Sequence, residues 1–129
     1  MDFTERLQMY LEGGMITEED IEDINKIIDL FEKKYNVELN EENSGVFIAH
    51  LCAAYGRLTN GEEIEELPDV VIDELKTLDT YDLSKEILSE IMQITHNSLN
   101  ETEQGYALLH INNLIANLKQ NGEWHTGLQ

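Results

Sequence analysis

At 129 residues, with 41% of them hydrophobic, the chain has the size of one domain and enough apolar side chain to bury a core without a disulfide or a structural metal. Its 27 acidic residues against 8 basic ones give a formal charge of −19, and with no Lys/Arg cluster this excludes binding to phosphate backbones or anionic lipid surfaces. A single cysteine excludes an intramolecular disulfide, and no apolar run approaches the roughly 20 residues that span a bilayer, so a cytoplasmic protein is expected.

No segment alternates with period two, and stretches of helical period recur between turn signals, which predicts an all-α domain. Residues 1–14 form a short amphipathic segment, with Phe3, Leu7, Tyr10 and Leu11 on one stripe and Gly13-Gly14 as its stop. That stripe suits either the bundle or a partner subunit. Thr17 and Asp20 then open a helix as a capping box, followed by Ile21, Ile24, Ile27, Ile28, Phe31 and Tyr35 at helical spacing. Asn40 caps the next helix, NEENSGVFIAHLCAAYGRLTNG, which stops at Asn60-Gly61. Pro68 begins a shorter one, PDVVIDELKTL. A fourth runs from Asp79 to about His96 with Leu83, Ile87, Ile91 and Ile94 on one stripe. Asn100 and Glu103 make a capping box for the last, which reaches about Gln120. The expected architecture is a compact bundle of about five helices over residues 15–120, with a tail at 121–129.

Few residues carry specific chemistry. A helical di-iron site needs Glu-x-x-His, but Phe47, Gln93, Ala107 and Gly122 stand three positions before the four histidines. There is no His-x-x-x-His either, so neither a metal nor a cofactor is expected. The acidic runs Glu18, Glu19, Glu22, Asp23 and Glu62, Glu63, Glu65, Glu66 read as solvated faces. Cys52, two positions from His50, points away from it around a helix and reads as a small buried thiol. His96, at a helix C-terminus, suits the dipole there, and His125 lies in a tail that is ordered only if Trp124 docks.

His50 and His110 remain. Each interrupts an apolar stretch in mid-helix, and each shares a stripe with a charged residue seven positions away, Arg57 and Glu103 respectively. An acid–base pair of His110 with Glu103 is excluded by the ~10 Å that two turns put between them.

The chain resembles the PTS regulation domain, a helical module through which bacterial regulators sense sugar-phosphotransferase activity. The family's first histidine sits in a motif of the type Asp-His-Ile-x-x-Ala-x-x-Arg, matched here by Ala49-His50-Leu51-Cys52-Ala53-Ala54-Tyr55-Gly56-Arg57. Its second sits in Glu-x-Gly-Tyr-x-x-x-His-Ile, matched by Glu103-Gln104-Gly105-Tyr106-Ala107-Leu108-Leu109-His110-Ile111. Ala49 stands where the family carries aspartate, which removes one orienting partner of His50.

The resemblance implies a non-enzymatic regulator in which His110 and His50 accept a phosphoryl group, with Arg57, Glu103 and Tyr106 in support. The implied donor is the phosphocarrier HPr or a sugar-specific PTS component. A homodimer and a downstream regulator protein are implied as the readout. The alternative is a constitutive acidic adaptor that keeps the fold and has lost the switch.

Overall fold

A computed structural model describes residues 3–96 and 98–124. Six helices follow in chain order: α1 Thr4–Glu12, α2 Glu18–Tyr35, α3 Glu41–Asn60, α4 Asp69–Lys76, α5 Tyr81–Ile94 and α6 Glu101–Gln120. Among the described residues there is no strand, and no helix is long and apolar enough to cross a membrane.

Local chemistry sets the helix ends. The Thr17 hydroxyl accepts from the Asp20 N–H at 3.1 Å while the Asp20 carboxylate accepts from the Thr17 N–H at 2.9 Å, closing the predicted capping box. Asn40 and Asn43 repeat that reciprocal pair at the start of α3, both at 2.9 Å. The Gly61 backbone, at φ 70°, ends α3 in the left-handed conformation that glycine adopts without a Cβ penalty. Pro68 is the cap of α4 rather than its first helical residue, one position from expectation. The helix expected from Asp79 begins at Tyr81, because Leu75 and Leu78 carbonyls still hold a turn there.

Packing places α6 centrally, against α3 and α5 and, less extensively, α4, while α2 lies on α3 and α5. The core follows the predicted stripes through Ile24, Ile27 and Phe31 from α2 and Ile87 and Ile91 from α5, and α6 adds Ile111, Ile115 and Leu118; all are buried. The N-terminal stripe packs on this bundle through buried Phe3 and Leu7, and Arg6 ties α1 to Glu41 of α3 at 2.7 Å. Trp124 docks, stacking on Tyr35 with centroids 5.5 Å apart, whereas His125 lies outside the described residues.

Asp23 corrects the reading of the acidic run. It is fully buried rather than solvated, because it accepts the His96 N–H at 3.0 Å and meets the His96 ring at 2.5 Å. That contact, not the helix dipole alone, holds His96.

Candidate functional site

Helices α3 and α6 run antiparallel, and three pairs of residues spaced by seven mark the seam. The Asn117 side chain donates to the Asn43 carbonyl at 3.3 Å, His50 meets His110, and Arg57 meets Glu103. Seven residues are close to two helical turns, so each helix returns the same face to its neighbour at every step. The stripes visible in the sequence are thus the two sides of one interface.

At its middle the imidazoles of His50 and His110 stack, with centroids 3.7 Å apart and planes within 6°. His50 is exposed and His110 half-buried. Burial, then the Arg57 charge, holds His50 below its ordinary pKa. For His110 burial is again the main cause, joined by His50 and Arg57 and opposed by Glu103, and it brings the ring down to about 4. At neutral pH both rings are therefore uncharged, each with one N–H and one lone-pair nitrogen.

One step along the seam, Arg57 grips Glu103 with two parallel bonds, Nε to Oε2 at 2.7 Å and Nη2 to Oε1 at 2.9 Å. Glu103 is only 2% exposed and Arg57 24%. This fork–fork geometry is the strong form of a carboxylate ion pair, and it raises the Arg57 pKa. It also corrects the expected capping box. Asn100 accepts from the Glu103 N–H at 2.9 Å, but the Glu103 carboxylate turns to Arg57 instead of closing the box.

Tyr106 stands beside the pair, its ring 6.5 Å from His110, and its hydroxyl donates to the Glu65 carbonyl at 2.7 Å. It thereby pins the segment between α3 and α4 over the site. The stacked rings form a wall between two recesses. One is lined by Arg57, Glu103, Tyr106 and apolar Phe47, Leu51 and Ala54; the other opens toward Glu42, Val46, Asn113 and Asn117.

Sequence reasoning found all five of these side chains but not their pairing, nor the contribution of Asn43 and Asn117. The seven-residue spacing on both helices was the available signal. It missed a second cluster, in which ligand atoms of Asp20, Asp23 and His96 lie within 4.8 Å of one another. Hydrogen bonding accounts for that cluster, since Asp20 serves the cap of α2 and Asp23 the His96 backbone and ring. Cys52 is buried, as expected, and burial pushes its thiol up to about 12, which makes it unreactive.

A family model described as PRD domain matches residues 25–114, a span that holds the histidine pair and the Arg57–Glu103 pair. None of the curated proteins and none of the solved structures gives a match.

Proposed function

This chain belongs to the PRD domain family, a class of PTS-regulatory domains, and from that premise we propose that it is a phosphorylation-responsive regulator whose histidine pair accepts a phosphoryl group. The observation that supports this reading is the stack itself: two uncharged imidazoles at one helix seam, one of them open to solvent. His50 is the ring that a docked donor meets first, and His110 is the second acceptor.

The chemistry is in-line transfer. The lone pair of an acceptor nitrogen attacks phosphorus, an N–P bond forms, and the N–P bond of the donor's phosphohistidine breaks with its electron pair returning to the donor ring. HPr or a sugar-specific PTS component is the donor, and this chain is substrate rather than enzyme. The modification adds up to about two negative charges to a chain already at −19. A homodimer biased by that charge, read by a downstream regulator protein and not by nucleic acid, is the output.

Labelling from phosphoenolpyruvate with purified general PTS proteins tests the reading. Wild type should take up acid-labile label, His50→Ala should lose most of it, and His110→Ala should keep a substantial part. Wild type that stays unlabelled with every PTS donor would overturn the proposal. Sedimentation before and after labelling tests the dimer. One observation favours a second reading, a constitutive acidic adaptor: Ala49 gives His50 no orienting carboxylate. A partner complex unaffected by replacing both histidines would establish it.

A further inference from the structure

The recess behind the stacked rings holds both imidazoles, a guanidinium and a carboxylate, and among the described residues Arg57 is the only lysine or arginine lining it. We propose that Arg57 is an exchangeable counter-ion: a phosphoryl group on His50 or His110 draws its guanidinium off Glu103, and the first turn of α6 opens to return the Glu103 carboxylate to water. This rests on the phosphoacceptor reading and adds the route by which the modification reaches the fold.

Three features carry it. First, Arg57 is placed to move. It lines the same recess as both imidazoles, one heptad step along α3 from His50, and its charge already acts on both rings. Second, the competition favours the newcomer. Any two of a phosphoryl group's three terminal oxygens can take the guanidinium fork as a carboxylate does, and the group carries up to about twice the charge. Third, Glu103 cannot stay where it is without a cation. At 2% exposure an ionised carboxylate loses water as well as its partner.

The place where that strain is relieved follows from position. Glu103 is the third residue of α6, in the turn whose N–H groups have no intrahelical acceptor, and the Asn100 side chain holds its amide. Opening one turn there breaks few bonds and hydrates the carboxylate. Leu99, buried immediately before the cap, carries the movement into the α5–α6 connection.

NMR-detected amide hydrogen exchange on the full chain, before and after phosphorylation by the PTS donor system, decides the matter. In wild type the amides of Glu103 to Tyr106 should exchange roughly tenfold faster once phosphorylated, with the later turns of α6 unchanged. Glu103→Gln keeps the shape and removes the charge, so whatever fraction of it takes label should show the same α6 exchange as its unlabelled form. A labelled wild type with unmoved α6 overturns the exchange, as does Glu103→Gln responding like wild type. If Glu103→Gln does not fold, the wild-type comparison still decides. A wild type that takes no label removes the acceptor reading itself, and the exchange with it.

Discussion

His50 and His110 differ in how much water reaches them, and that difference sets how they titrate. Because the folded His110 is held near 4 while an unfolded histidine titrates near 6.5, the unfolded chain binds the extra proton between those values. Protonation then favours unfolding, so this residue's contribution is complete above about pH 6.5 and falls away as pH drops toward 4. The loss is on the order of 2 kcal/mol after allowance for water at the ring's open side. Denaturant unfolding of His110→Gln against wild type at pH 7 and 5 should show a smaller acid loss in the variant, and an NMR titration of His110 should give a midpoint well below 6. The neighbouring ion pair behaves differently. Removing the cation alone, in Arg57→Ala, strands the buried Glu103 and should cost about 3–5 kcal/mol, whereas Arg57→Ala with Glu103→Gln should recover a good part of it in urea unfolding. Equal losses in the single and double variants would mean that packing, not the stranded charge, dominates.

Helix α3 shows how far element-level rules carry. Its start was readable from Asn40 as a cap, to which the structure adds Asn43 as the reciprocal partner, and Asn40→Ala should lower stability by about 1 kcal/mol in chemical denaturation. Its middle was less readable. Gly56 looks like a residue that alanine would improve by up to about 1 kcal/mol in helix propensity. Yet a Cβ there would meet the Met15 carbonyl oxygen at 2.8 Å, where the chain entering α2 crosses α3. Overpacking against backbone costs roughly 1–3 kcal/mol, so Gly56→Ala should lower the melting temperature despite the better propensity. The same limit applies to Glu103. Sequence spacing made it a cap partner for Asn100, and only the approach of Arg57 from another helix redirected its carboxylate.

For the whole molecule the governing quantity is charge. At −19, self-repulsion opposes the compact state, and raising salt from about 20 to 200 mM should raise the melting temperature by screening it. A flat or falling response would mean that the cross-helix pairs Arg6–Glu41 and Arg57–Glu103 outweigh the repulsion. The sequence by itself determined the all-α class, the caps of α2 and α3, the core stripes and the family's two histidine motifs, because periodicity and capping act over three to seven residues. Only the tertiary structure decided that Asp23 is buried against His96, that α1 lies on the bundle, and that the two histidine stripes face each other in antiparallel register. Those outcomes depend on which helix packs beside which, and residues as distant as His50 and His110 acquire a common environment only when the core closes between them.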